Sequence, residues 1–234
     1  MSSQSLRYFV SAAPIMAASA LVLSLAPNAA AAQSISGQVG VASQYVGKGA
    51  GKSDENPAVS GSIELEVGDF YVSGFASSAD ISSGAHAEVI TAVGYRTTLA
   101  GVKFDAQVMN RDLPGSRAGI DKNYWEYQVD ASRKFGPVST RFRVNYTPDG
   151  FSATQEAWWI ELQGTVALDG KTKASAAIAD RSADGGAEYV AWNMGVKRAL
   201  TDAVSADLRW YDTDGHSLGE TYEGRLVAAL TYAF

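Results

Sequence analysis

The sequence predicts an all-β fold, an antiparallel up-and-down transmembrane β-barrel of about 12 strands. Three observations carry that expectation. Apolar and polar residues alternate with a period of two from Ile35 to the C-terminal Phe234. The connections between alternating stretches are long and short by turns. The first 32 residues read as an export leader, which places the rest of the chain beyond the inner membrane.

The leader has three parts. Residues 1–9 carry a single charge, Arg7; residues 10–26 form an apolar run; Pro27-Asn28 breaks the run, and Ala29-Ala30-Ala31-Ala32 supplies small residues at the cleavage positions. Cleavage after Ala32 is expected, in preference to a retained N-terminal helix. It leaves one barrel domain, 33–234, which is 202 of the 234 residues. No later run of about 18 apolar residues follows, so no spanning helix is expected. Without Arg7 the mature chain has 18 basic against 25 acidic residues, a net charge of −7, and it lacks the basic patch of a nucleic-acid binder. Cysteine is absent and only His86 and His216 represent histidine, so thiolate chemistry and a multi-histidine metal centre are excluded and no cofactor is expected.

In the first strand, 35–47, Ile35, Gly37, Val39 and Val41 alternate with small or polar residues. The second, 57–67, repeats this through Val59, Ile63, Leu65 and Val67. Strands 70–79, 86–97, 101–111 and 122–135 follow, then 138–147 with Val138, Phe142, Val144 and Tyr146 on one face. Strand 156–168 precedes an Ala-rich strand, 171–180, whose alternation is the weakest. Strands 188–199, 203–213 and 221–234 complete the set. Gly, Asp, Ser and Pro fill the long connections near 48–56, 80–85, 112–121, 148–155, 181–187 and 214–220. The short ones are Gly68-Asp69, 98–100, Gly136-Pro137, Asp169-Gly170 and 200–202. Tight turns at one end and long loops at the other are the mark of a membrane barrel.

Alternation alone does not say which face is outside. A barrel fills its interior with side chains at about eight strands, so a lumen of about twelve is too wide to pack with Val, Leu and Ala. The five Trp, with Tyr45, Tyr146 and Tyr222, fall toward the long-loop ends, whereas Phe70, Tyr95, Phe135, Tyr232 and Phe234 fall toward the short turns. Two belts of aromatic rings fit the two interfaces of a bilayer. The apolar face is therefore expected to meet outer-membrane lipid and lipopolysaccharide, with strand 221–234 closing on strand 35–47 so that no backbone edge is left in lipid. An even strand count puts both termini on the periplasmic side. Leu230, Tyr232 and Phe234 resemble the C-terminal signature by which the barrel-assembly machinery recognises its clients.

Parity then assigns the inward face, with nine cations and nine carboxylates. Arg96, Lys103, Arg141, Arg143, Arg209 and Arg225 are the leading basic pore-lining candidates; Lys134, Lys173 and Lys197 join them. Glu64, Asp105, Glu126, Asp130, Glu161 and Asp207 are the leading acidic ones, with Glu66, Glu88 and Glu223. Arg141 and Arg143 share a strand face opposite Glu126, Asp130 and Glu161. They form either ion-pair ladders that brace the wall or rows that set a transverse field for a polar solute.

The chain resembles the TorF-like family of outer-membrane porins over nearly all of its mature length. The likeness opens at Val41-Ala42-Ser43-Gln44-Tyr45-Val46-Gly47-Lys48-Gly49, where Lys48 replaces the family's Arg, and continues at Pro57-Ala58-Val59 and at Phe70-Tyr71-Val72-Ser73-Gly74-Phe75. Glu88, Gly94-Tyr95, Asn123-Tyr124-Trp125-Glu126 and Tyr211-Asp212-Thr213-Asp214 follow in order, while the family's Tyr-x-Tyr-Pro element is eroded to Asn110-Arg111-Asp112-Leu113-Pro114. The resemblance implies a barrel and a pore, without a substrate.

Other chemistries are weak in this sequence. Asp212-Thr213-Asp214-Gly215-His216, with Ser217, is the best hydrolase candidate, but its glycine and setting read as a turn, and no enzyme is expected. The stretch 47–53 ends Gly51-Lys52-Ser53 like a phosphate loop, yet Val46 stands where the first glycine belongs and no helix follows. The acidic loop residues Asp54, Glu55, Asp149, Asp180 and Asp184 read as solvated, a weak divalent-cation patch being the alternative. The expected function is passive passage of small polar solutes; the alternative is a non-conducting structural or surface-interaction barrel with an ion-paired, closed lumen. Oligomeric state is not legible.

Overall fold

The structure is a computed structural model, and it describes residues 33–81 and 83–234. The leader, 1–32, and its cleavage lie outside the described residues. In chain order, β1 (Gln33–Ala42) is followed by a small hairpin, β2 (Val46–Gly47) and β3 (Ala50–Gly51), and then by β4 (Ala58–Val67), β5 (Phe70–Ser78) and β6 (Ala87–Leu99). β7 (Val102–Asp112), β8 (Asn123–Phe135), β9 (Val138–Gly150) and β10 (Gln155–Ala167) continue the meander. β11 (Thr172–Ala183), β12 (Tyr189–Ala199), β13 (Val204–Thr213) and β14 (Arg225–Ala233) complete it.

Every strand except β2 and β3 enters one closed antiparallel barrel, in the order β1-β14-β13-β12-β11-β10-β9-β8-β7-β6-β5-β4. The strand count agrees with the alternation in the sequence. The seam joins β1 to β14, from Gln38 opposite Ala233 to Ala42 opposite Ala229. Phe234 extends it: its N–H donates to Gly37 O (3.0 Å), and Gly37 N–H donates to Phe234 O (2.9 Å). A side chain at Gly37 would collide with the Phe234 ring, so this glycine provides the berth for the terminal aromatic. Both Gln33 and Phe234 lie at the short-turn rim, since Gln33 pairs with Val67 beside the β4–β5 turn.

The barrel is inside out by the standards of a water-soluble core. Val93 is 57% exposed and Leu162 54%, both in the middle of their strands. Glu88, on the opposite face, is 0% exposed and Glu126 is 1%. Aromatic pairs mark both rims of the outer surface: Tyr146 against Trp158 (4.5 Å) toward the long loops, Phe70 against Tyr95 (4.9 Å) toward the short turns.

Three sequence expectations need correction. The first barrel strand ends at Ala42 rather than at 47, because Val46–Gly47 pairs with Ala50–Gly51 in a separate sheet. The last begins at Arg225 rather than 221, because 220–222 are wound in a 3-10 turn. The long-loop aromatic belt is thinner than expected: Tyr45 bonds a lumenal carboxylate, Trp159 is buried with Ala179 and Ala191, and Tyr222 packs edge-on against Tyr189. The Ala-rich strand is present and longer than its pattern suggested, as β11.

Candidate functional site: a lumen crossed by the first loop

The segment between β1 and β4 does not stand up from the rim. It folds back into the barrel as the β2–β3 hairpin. Its turn residues, Lys48 and Gly49, both have positive φ (51° and 81°), the requirement of the two-residue turn that matches strand twist. The glycines around it allow close approach to the wall. A side chain at Gly49 would meet Ala191 and Thr213, and one at Gly51 would meet the Arg225 guanidinium. The glycine-lysine stretch that looks like a phosphate loop in the sequence is thus the tip of a tightly seated hairpin.

The hairpin reaches opposite walls. Lys48 Nζ pairs with Glu126 on β8, and Lys48 O accepts from Tyr189 Oη on β12 (2.7 Å). Lys52 Nζ donates to both oxygens of Glu88 on β6 (2.9 and 2.8 Å). In the closed order β6 and β12 stand six places apart among twelve, as do β8 and the β14 that carries Arg225. The hairpin therefore crosses the lumen from one side to the other.

One arginine ties the acidic side together. Arg111 on β7 donates to Glu88 Oε1 (2.9 Å) and to Glu126 Oε1 (3.2 Å). Tyr45 Oη donates to Glu88 Oε2 (2.5 Å), and Asn145 Nδ2 donates to Glu126 Oε1 (2.9 Å) and Gln128 Oε1 (2.8 Å). Two carboxylates are thus removed from water only where three cations and neutral donors satisfy them, the condition under which a buried charge is tolerable. Burial acts on the hairpin's own groups as well. It lowers the Lys48 ammonium to about 8, against the pull of Glu126. Burial and the Glu88 charge raise the Tyr45 phenol well above its ordinary value.

A second cluster lies toward the short turns. Arg96 grips Glu64 through two bonds (2.6 and 2.8 Å), donates to Glu66 (3.2 Å) and Asp105 (3.0 Å), and lies 3.9 Å from the centre of the Tyr71 ring. Tyr71 Oη donates to Asp105 (2.6 Å), and its ring folds over Gly94, where any side chain would overlap it. Around the wall, Arg143 holds Asp130 through two bonds (2.8 and 2.6 Å), and Arg141 donates to Glu161 (2.5 Å). Arg209 joins Asp207 (3.2 Å), Asn193 (2.7 Å) and Ser175 (2.9 Å). The Arg143–Asp130 and Arg141–Glu161 pairs join neighbouring strands and Arg209–Asp207 runs along one, the geometry of ladders, whereas Arg96 reaches Glu64 and Glu66 across β5, and Arg209 reaches Ser175 across β12.

The pore-lining candidates therefore separate into groups. Arg96, Arg141, Arg143, Arg209, Glu64, Asp105, Asp130, Glu161 and Asp207 meet partners on the inner wall. Glu126 leaves the Arg141–Arg143 set and serves the hairpin, because Lys48 and Arg111 reach it first. Arg225 is buried among Gln44 and the carbonyls of Glu220 and Glu223, where it fastens loops instead of facing an acid. Lys103 is exposed at the short-turn rim, beside the Arg96–Asp105 cavity. Leu230, Tyr232 and Phe234 are exposed on the outer face, the last two stacked at 6.3 Å. Sequence reasoning missed Arg111, Lys48 and Lys52 as a unit. Arg111 shares the parity of Lys103 and Asp105, which is the signal that could have found it.

His216 Nε2 lies 2.8 Å from Asp212 Oδ1 in an exposed loop, and Ser217 makes no hydrogen bond to that pair. Among the described residues no group of three His, Cys, Asp or Glu is placed to hold a metal ion.

A family profile described as "Bacterial protein of unknown function (Gcw_chp)" matches residues 26–232. No curated protein matches the chain. Among solved structures, the KdgM porin is similar at a TM-score of 0.60 and 8% identity, over 85% of this chain and 99% of that one. LpxR from Salmonella typhimurium is similar at a TM-score of 0.51 and 9% identity, over 85% of this chain and 99% of that one. At such identities the likeness is one of fold, the fold of outer-membrane β-barrels.

Proposed function

The chain belongs to the Gcw_chp family, and from that premise and the lumen's geometry we propose that it is an outer-membrane porin of narrow bore, passing small polar solutes passively. The observation that carries this reading is the β2–β3 hairpin, bound to opposite walls inside a ring of charged side chains. A cylinder apolar outside and charged inside suits a bilayer with water in its centre. A loop folded into that centre sets the width of the aqueous path without closing the barrel wall.

The remaining assignments follow from this reading. The export leader is removed after Ala32. The short-turn rim, with both termini, faces the periplasm, and the long loops face lipopolysaccharide. Leu230, Tyr232 and Phe234 form the strand that the barrel-assembly machinery engages. The motif order shared with TorF-like porins supports the same role, and the chemistry is transport rather than catalysis.

Liposome swelling tests the reading. Vesicles carrying the purified barrel should swell in small sugars and amino acids and fail to swell in oligosaccharides; swelling no faster than protein-free vesicles in every solute would contradict it. The near-complete burial of Glu88 and Glu126 favours a second reading, a barrel shut at the hairpin whose long loops do the binding. That barrel would leave vesicles impermeable and become permeable only when the hairpin is shortened.

A further inference from the structure

Above the hairpin, on the long-loop side, lies a cavity of about 460 Å³. We propose that it is a recognition site for a small organic carboxylate built on a single ring. The inference rests on the porin reading for its biological sense, but its argument comes from the cavity alone.

The first observation is charge. Lys48, Lys52, Arg111 and Arg181 line the cavity; Glu126 lines it and Glu88 lies beneath, bound to Lys52 and Arg111. Four cations against two carboxylates leave a net charge of +2, inside a mature chain whose own net charge is −7. Lys48, Lys52 and Arg111 are already engaged with those two carboxylates. Arg181 is not. Among the described residues it has no carboxylate partner; its Nε donates to the carbonyl of Ala187 (3.0 Å). That bond fixes the guanidinium and leaves the two terminal nitrogens for a planar anion, which a guanidinium grips through two parallel bonds.

The second observation is shape and wall chemistry. The Arg181 guanidinium lies 5.9 Å from the centre of the Tyr189 ring, and Tyr189 is fixed by its bond to Lys48 O. Tyr222 meets Tyr189 edge-on at 5.1 Å, and Tyr124 and Phe151 add further rings to the lining. Bare inorganic anions have no use for such walls. Flat aromatic faces beside an anchored cation suit a ring that carries the acid. The volume is at the lower end of the range for small-molecule sites, which fits one ring and excludes a long oligomer from being held whole.

The test is calorimetric titration of the folded, full mature barrel in detergent micelles. Glucuronate and benzoate are the probes, with glucose and benzyl alcohol as their neutral counterparts. The carboxylates should bind about tenfold more tightly than the neutral molecules, the scale of one charged hydrogen-bonded contact. Arg181→Gln should abolish that preference, and Arg181→Lys should retain part of it; retained heat-modifiable gel mobility shows that each variant is folded. If Arg181→Gln does not fold, the Lys variant and the wild-type preference still decide. Equal binding of charged and neutral probes, or unchanged carboxylate binding in Arg181→Gln, would overturn the site. A barrel that binds in micelles but leaves vesicles impermeable would overturn the pore and keep the site; one that conducts without preferring the acids would do the reverse.

Discussion

Glu88 and Glu126 are the residues on which the lumen turns. Each has lost nearly all contact with water, and Arg111 is the partner they share. Removing one member of a buried, hydrogen-bonded charge set leaves the others uncompensated, at a cost of about 3–5 kcal/mol. Arg111→Met should therefore lower the urea-unfolding stability of the micelle-bound barrel by about that amount. Lys48→Met should cost less, because Glu126 keeps Arg111 and Asn145. Equal losses in the two variants would contradict the ranking. The hairpin's own titrations give a pH dependence. Lys48, facing Glu126, Arg111 and Arg181, releases its proton at about 8 when seated against 10.5 when free. Between these values the seated state binds fewer protons, so seating strengthens as pH rises through that window. Tyr45, facing Glu88, Arg111 and Tyr124, holds its proton more tightly when seated, so seating weakens above pH 10. Proteolytic nicking of the 43–57 loop should accordingly be slower at pH 9.5 than at pH 7.5, and Lys48→Met should remove the difference. Nicking that is faster at the higher pH would contradict the sign. Arg111 was within reach of sequence reasoning, through its parity with Lys103 and Asp105. As the last residue of the expected strand 101–111, it carries no local sign of the two carboxylates, on β6 and β8, that it joins.

At the scale of elements, barrel strands and hairpin obey different constraints. A strand facing lipid tolerates no charge at mid-depth, and Val93 sits at the centre of β6 with its side chain outward. Val93→Arg should cost about 2–4 kcal/mol in bilayer-linked unfolding. An unchanged midpoint would place that face in water. The hairpin instead depends on close approach. Gly49→Ala introduces a side chain against Ala191 and Thr213, so it should unseat β2–β3 while the barrel itself remains folded. The readout is accelerated nicking of the 43–57 loop with unchanged heat-modifiable mobility. Strands were legible because period-two alternation is local and each strand shows it. The hairpin was not, because Tyr45 and Gly47 keep the parity of Val39 and Val41 past Ser43 and invite a longer strand. What turns the chain inward is contact with Glu126, 78 residues on, and Tyr189, 141 residues on, which no local pattern records.

At the scale of the whole molecule, the sequence carried the closed barrel, its strand number and its inverted polarity, because membrane insertion imposes those features on every strand alike. It carried the site only in fragments. Tyr45 and Lys48 lie in one motif, Glu88 in a second, and Tyr124 and Glu126 in a third, and only barrel closure brings the hairpin and the wall residues of β6, β8 and β12 into one network. The physical consequence is a lumen occupied by a loop with its own tertiary contacts, nested in a cylinder whose strands close without it. Single-channel recording in planar bilayers, comparing the natural chain with one whose residues 46–51 are replaced by a short glycine link, tests this most directly. Small, well-resolved steps from the natural protein and severalfold larger steps from the shortened one are expected. Steps of equal size in the two would mean that the first loop does not limit the lumen, and the account would fail at its centre.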